Sequence, residues 1–518
     1  MFALSIYNVL ILGLWILLCC LLIARLFRPQ GKYPKPPGPR GLPIIGNLYD
    51  IPTEHEPTIF GVWHNLYGDI CSVTIFGRTT IILNSHKAAT EMLSKKSLNY
   101  SDRPYYTMCG DLAGWKYAIV LLQYADRFKT YRRMMHQASL FFCLVIGSRS
   151  NVLQFKGLLE SEAAKAVRRL LDEPDNYVGV LRKAVGCSVL QVTYGYQPRN
   201  EHDPLVKIAD EATSQLGVLL APGGFLVDVL PFLKHVPEWF PGARFQTFAR
   251  ECRQTVDSLA DSAFSFVLGQ MAAGKSSPNF VANLLNSGNT TAEDRHRIKW
   301  AAESLYSAGA DSPVSALSVF ILAMTLYPEA RRKAQAEIDA VVGDSRLPTM
   351  NDRDSLPYCN ALAKEVIRWG TTSPLGAPHC VREDDIHDGY LIPKGSVVLA
   401  NIWHFLHDPE VYKNPWMFNP DRLIPSPGKP AEQDPYEMCF GYGRRSCPGT
   451  HLADAMMFLF STSILSVFDI EKAIDANGME ITPEFAFTSG ALTKPKDFPC
   501  VIRPRSHKAE ALIRCIEI

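Results

Sequence analysis

A chain of 518 residues, 47% hydrophobic and 20% charged, has the composition of an ordinary globular protein, which excludes wholesale disorder and a multi-span membrane protein. Lys plus Arg number 53 against 52 for Asp plus Glu, so no basic excess supports nucleic-acid binding. The 13 cysteines include no C-x-x-C pair and are too sparse for a disulfide scaffold, leaving reduced, buried thiols in a cytosolic setting as the default.

Residues 2–24, FALSIYNVLILGLWILLCCLLIA, carry no charge over 23 positions, long enough to cross a bilayer as a helix. Arg25, Arg28, Lys32 and Lys35 follow, and no basic residue precedes the run. Positive charge on the C-terminal flank alone predicts a transmembrane signal anchor at residues 1–24, with the body of the protein cytosolic. A cleaved signal peptide lacks support, because there is neither a basic n-region nor a small-residue cleavage site. The stretch PKPPGPRGLPIIGNL closes a basic, proline-rich segment at residues 25–48, read as a stiff hinge that orients the remainder, residues 49–518, against the bilayer.

Two β-branched runs flank FGR in residues 69–84, a hairpin signal. From there to about residue 343 apolar residues recur at three and four spacing, as in SLADSAFSFVLGQMAAG, and predict helix. Residues 217–245 are rich in proline, glycine and aromatics, and fit either a buried connection or an apolar surface that meets lipid. In SLYSAGADSPVSALSVFILAM, Ser312 before Pro313 reads locally as a helix cap. Glu365 and Arg368 in EVIR share a helical face, and PWMFNPDR brings Arg422. Residues 388–401 predict a second hairpin, around Pro393-Lys394-Gly395. The expected fold is mainly α with a small antiparallel β portion, one catalytic domain behind one transmembrane helix.

FGYGRRSCPG, residues 440–449, places Cys447 among three glycines and two arginines. Pro448 suits the first position of the apolar helix that follows, which makes Cys447 its cap. Backbone N–H groups there, with Arg444 and Arg445, favour a thiolate. On local chemistry such a thiolate is either a nucleophile or a metal ligand.

Phe440, Gly443, Arg445, Cys447 and Gly449 fit F-x-x-G-x-R-x-C-x-G, and on this loop the chain resembles the cytochrome P450 superfamily, in particular its fungal microsomal branch. The resemblance implies that Cys447 is the axial ligand of a haem b iron. Phe440 would shield the sulfur, Gly443 permit the turn, Gly449 clear the macrocycle and Arg445 pair with a propionate. Glu365, Arg368 and Arg422 match the family's buried triad behind the haem. Ala308, Gly309, Asp311 and Ser312 match its oxygen-binding helix, where small residues open a groove and Asp311 with Ser312 relays protons. Serine stands where the family more often has threonine, and Pro313 is expected to kink the helix. In DRFKTYRR, Phe128 replaces a tryptophan whose N–H would reach a propionate, leaving Arg132, with His379 as a further propionate partner.

The function implied is a membrane-anchored monooxygenase of the endoplasmic reticulum with its catalytic domain in the cytosol. It would take electrons from NADPH through NADPH-cytochrome P450 reductase, with cytochrome b5 as a second donor, and oxidise a lipophilic terpenoid or polyketide of secondary metabolism. Arg127, Lys129, Arg132, Arg133 and Arg444 would dock the acidic partner. No G-x-G-x-x-G opens a helix, in keeping with an external reductase. An isomerase or dehydratase working without external electrons, and a haem sensor, are the alternatives; Asp311 and Ser312 weigh against the former.

Overall fold

The computed structural model describes residues 32–136, 152–198, 203–220, 224–288 and 290–517, with the single positions 11, 13, 15 and 148. The anchor expected at residues 1–24 thus lies outside the described residues, save for those three isolated positions. Long helices dominate: α1 (Glu56–Tyr67), α2 (Asp126–His136), α3 (Lys156–Asp172), α4 (Tyr177–Tyr194), α5 (Pro204–Leu219), α6 (Arg244–Ala272), α7 (Ala292–Leu326), α8 (Pro328–Val341), α9 (Pro357–Trp369) and α10 (Thr450–Val467).

The β portion is three small sheets. The largest runs β1 (Ile70–Ile75), β2 (Arg78–Leu83), β6 (Val397–Ala400), β3 (His379–Cys380) in spatial order, and β2 and β6 are parallel, so the sheet is mixed. The β1–β2 hairpin turns at Phe76 and Gly77, both with positive φ, as a tight two-residue turn requires. The second hairpin is elsewhere than the sequence predicts: β4 (Asp385–His387) pairs with β5 (Tyr390–Ile392) across Asp388-Gly389. Asp-Gly is the stronger two-residue turn signal, and Pro393–Gly395 is the crossing from β5 to β6, fixed by the Gly395 N–H on the Val381 carbonyl at 2.8 Å. A third sheet, β8 (Glu480–Ile481), β7 (Phe468–Ile474) and β9 (Cys500–Pro504), closes the C-terminal side.

The proline-rich stretch is no free hinge from residue 36 onward. The Ser72 hydroxyl donates to the Pro36 carbonyl at 2.6 Å and the Ser72 N–H to Pro37 at 2.8 Å. The close approach leaves no room for a side chain at Gly38, where a Cβ would lie 2.0 Å from the Ser72 oxygen.

Helix α7 forms the centre. Thr291 caps it, accepting from the Asp294 N–H at 3.1 Å while Asp294 accepts from the Thr291 N–H at 3.1 Å. The helix is continuous through Pro313, so Ser312 is interior to it and caps no new helix. Both α7 and α10 are long and apolar enough to cross a membrane, but their apolar windows are 78% and 72% buried, which makes them core helices. Helix α4 packs along α7, where Gly309 meets Val189: a Cβ on Gly309 would lie 3.1 Å from a Val189 methyl. The glycine thus serves helix packing, and the groove expected from small residues falls to Ala308, which is accessible.

Glu303 on α7 is fully buried, and burial pushes its pKa up to about 8, with the Ser307 hydroxyl offsetting part of the rise. The unfolded chain ionises this carboxyl above the ordinary 4.5, whereas the folded protein keeps it protonated to about 8, so stability falls as pH rises between the two. Relative to Glu303→Gln, the wild-type protein is expected to lose up to ~1.4 kcal/mol per pH unit across that window. Thermal midpoints read at acid and neutral pH check this; parallel trends in both proteins would contradict it.

Candidate active site

Cys447 sits in a loop rather than at a helix cap. Helix α10 begins at Thr450 with Gly449 as its cap residue, two positions beyond the cysteine, so the helix end acts on the sulfur less directly than the sequence suggests. The loop closes through the Cys447 N–H on the Phe440 carbonyl at 2.7 Å and the Thr450 hydroxyl on the Cys447 carbonyl at 3.0 Å. Phe440 is half-buried and packs edge-on against Tyr436, with ring centroids 5.0 Å apart. Gly443 has φ of 53°, and a Cβ there would lie 2.4 Å from the Leu93 oxygen, so only glycine fits. At Gly449 a Cβ would approach the Cys447 sulfur to 3.8 Å.

The Cys447 side chain remains accessible although protein surrounds it. That surrounding protein raises its pKa, opposed by the Gly449 N–H, Arg132 and the Thr450 hydroxyl. Arg132, not Arg444 or Arg445, is therefore the cation that favours the thiolate. Its guanidinium reaches the loop by donating to the Ser446 carbonyl at 2.6 Å.

Arg445 is buried and aims the other way. It donates to the carbonyls of Ser101 at 2.7 Å, Ile119 at 3.3 Å and Leu122 at 2.5 Å. Its guanidinium lies 3.8 Å over the Phe128 ring, so the phenylalanine that replaces tryptophan carries a cation–π contact. Burial, with repulsion from Arg103 and Arg132, pulls the Arg445 pKa down to about 8.

Arg103, which the sequence reading missed, is buried and donates to the Ala377 carbonyl at 2.8 Å and the Pro378 carbonyl at 2.6 Å, while its Nε has no partner. Burial lowers its pKa to about 10. His379 is buried against the same cations; burial and Arg103 hold its pKa well below the ordinary value, and its Nδ1 lies 2.7 Å from the Tyr100 carbonyl. The neutral ring must donate there, which leaves Nε2 a lone pair. In this state Nε2 is an acceptor, and Arg103 adds a buried N–H donor beside the ring.

Among the described residues no carboxylate hydrogen-bonds Arg103, Arg132 or Arg445. The nearest, Asp102, is taken by Arg382 at 2.9 Å. Desolvated positive charge of this kind calls for an anion. A thiol with an open approach, an orphaned buried guanidinium nitrogen and a glycine beside the sulfur fit a flat, doubly anionic cofactor such as haem. Cys447 would hold its iron, and Arg103, Arg132 and Arg445 its propionates.

Glu365, Arg368 and Arg422 come together behind this loop, all buried. Arg368 donates to both Glu365 oxygens at 2.8 and 2.9 Å, and Arg422 to one at 3.1 Å. The Asn419 N–H adds 2.8 Å to the same oxygen, and Arg422 also holds Glu432 at 2.7 Å. Asp311 and Ser312, in contrast, are engaged separately. The Ser312 hydroxyl donates to the Ala308 carbonyl at 3.1 Å, and Asp311 pairs with Arg182 of α4 at 2.6 Å. Arg182 also faces Asp210 of α5, whose carboxyl burial raises.

A thiol loop, a cationic cradle and a central helix of this design fit a thiolate-ligated haem protein. The Cytochrome P450 family model matches residues 36–498, and the chain belongs to that family. It is 47% identical to Cytochrome P450 monooxygenase 208 of Postia placenta, over 95% of this chain and 96% of the relative. It is 43% identical to Cytochrome P450 monooxygenase claR of Ampulloclitocybe clavipes, over 93% and 88%, and 38% identical to Cytochrome P450 monooxygenase ppsD of Aspergillus oryzae, over 93% and 91%. The protein is thus a monooxygenase carrying thiolate-ligated haem, and like its family it draws electrons from NADPH through a redox partner reductase. The three relatives are all named monooxygenases, which weighs against the isomerase and sensor alternatives.

Proposed function

We propose that this chain is a membrane-anchored monooxygenase that oxidises a lipophilic terpenoid or polyketide skeleton in fungal secondary metabolism, with Cys447 as the residue that would hold the haem iron. The observation that carries it is the accessible Cys447 thiol with Arg132 bonded to its loop, together with buried Arg103 and Arg445, which among the described residues have carbonyl partners and no carboxylate. When bound, the haem supplies the iron at which dioxygen is activated for insertion of one oxygen atom.

Arg103, Arg132 and Arg445 fix the cofactor's orientation by charge, and Phe440 keeps water from the sulfur. Ala308 leaves clearance on α7. Ser312 holds a proton on its hydroxyl, and Asp311, positioned by Arg182, passes protons toward it. Residues 1–24 anchor the chain in the endoplasmic reticulum membrane, with residues 49–518 as the cytosolic catalytic domain. Exposed Leu226, Phe232, Trp239 and Phe240 support the lipid-facing reading of residues 217–245 over that of a buried connection, and an apolar substrate enters there.

For the reductase and cytochrome b5, Lys129, Arg133 and Arg444 offer exposed charge. Arg127 is a weaker docking residue, because Glu293 holds it at 2.7 Å.

The reduced carbon monoxide complex tests the ligand. Wild type should give the strongly red-shifted thiolate band and Cys447→Ser should lose it; a band that survives the substitution would falsify the assignment. For the relay, Ser312→Ala should raise peroxide released per NADPH consumed severalfold, and an unchanged ratio removes Ser312 from it.

A further inference from the structure

A second cluster of metal-ligating side chains lies outside the haem site, where the β4–β5 turn meets the π-helical turn Thr90–Lys95. His387 is 7% exposed, and its Nε2 is buried without a hydrogen bond. That nitrogen lies 3.7 Å from a Glu91 carboxylate oxygen and 3.7 Å from an Asp388 carboxylate oxygen, and the three ligand atoms all fall within 4.8 Å of one another. We propose that Glu91, His387 and Asp388 form a binding site for a divalent first-row cation of the zinc class.

The spacing is the first reason. Hydrogen bonds from a ring nitrogen to a carboxylate run at ~2.7–3.2 Å, so 3.7 Å is too long for either pair. Ligand atoms held ~2.0–2.1 Å from a common tetrahedral centre lie roughly 3.3–3.5 Å apart, which small side-chain rotations reach from here. The donor set is the second. Two carboxylates and one imidazole match a dication in charge, and the imidazole lone pair selects zinc, nickel or cobalt over magnesium and calcium. Three protein ligands leave a position for water.

The ligands are also held in place by contacts that owe nothing to a metal. Asp388 has φ of 48° in a tight turn, which fixes its direction. The neighbouring seam joins the same two segments. Lys96 reaches Asp385 at 2.7 Å and the Ile386 carbonyl at 3.0 Å, Tyr100 donates to Asp385 at 2.7 Å, and Asn99 donates to the Glu383 carbonyl at 3.0 Å. Glu91 and His387 extend this seam by one more link. A cation there fastens the hairpin to the segment that, at Leu93 and Ser94, presses on Gly443 of the cysteine loop. Cation binding therefore stabilises the cysteine loop from outside, through the segment that packs on Gly443. The competing reading is an ionic contact of imidazolium with two carboxylates, with no metal.

The test uses the full-length, haem-loaded protein in detergent, stripped with a chelator and titrated with zinc against a chromophoric competitor near neutral pH. Wild type should show a saturable site that His387→Gln weakens by at least ~10-fold, with Glu91→Gln and the exposed-site variant Asp388→Asn also weaker. The thermal midpoint should rise with zinc in wild type and not in His387→Gln. An unchanged reduced carbon monoxide spectrum in each variant verifies the fold and keeps this result separate from that of Cys447→Ser. Zinc affinity equal in wild type and all three variants, or no saturable binding in wild type, overturns the proposal.

Discussion

Positive charge buried beside a cysteine is the constraint on which the rest of this structure depends. Arg445 and Arg103 are taken from water and given only carbonyl oxygens, and Arg132 reaches the loop from a third direction. Carbonyls satisfy N–H donors but do not neutralise charge, so burial pulls two of these groups down to about 8 and about 10. An anionic cofactor would resolve the conflict, because two propionates would supply the missing negative charge. Other features follow from the same requirement. Phe128 presents a ring face to Arg445, and burial, reinforced by repulsion from Arg103, holds His379 toward its neutral form.

Such a cradle works only if its walls do not yield. The wall behind the loop is the Glu365, Arg368 and Arg422 network, in which every charged group is paired and further bonded to backbone. Breaking one partner of a network this deeply buried costs about 3–5 kcal/mol, comparable with much of a domain's net stability. On the other side, α7 and α4 pack closely at Gly309, which fixes the helix that carries Ala308 and Ser312.

Much of this was legible in the sequence, for a physical reason. Positions that must be glycine, arginine or cysteine within one short loop are local, and so are a Glu and an Arg three apart on one helix. Gly443, Arg445 and Cys447, and the Glu365–Arg368 pair, could therefore be singled out by spacing, although their roles came from the family resemblance and not from the spacing itself. Arg103 could not: it stands alone in SDRPYY, and its place beside Arg445 depends on folding 342 positions away in sequence. Arg182 escaped notice likewise, because a cation on a surface-like helix carries no mark of the acid it will meet. Two local readings failed for local reasons. Asp388-Gly389 outcompeted Pro393–Gly395 as the hairpin turn, and the cap of α10 fell on Gly449, two residues past the cysteine.

The central claim, that buried guanidiniums hold a doubly anionic cofactor, is tested most directly by reconstituting the apoprotein with haem b and with its propionate dimethyl ester. Esterification removes both negative charges and leaves the iron and ring unchanged. Binding of the diester weaker by at least ~100-fold, about 2.7 kcal/mol, is the predicted result. Equal affinity for the two would contradict it, and would assign the binding energy to the thiolate and ring contacts alone.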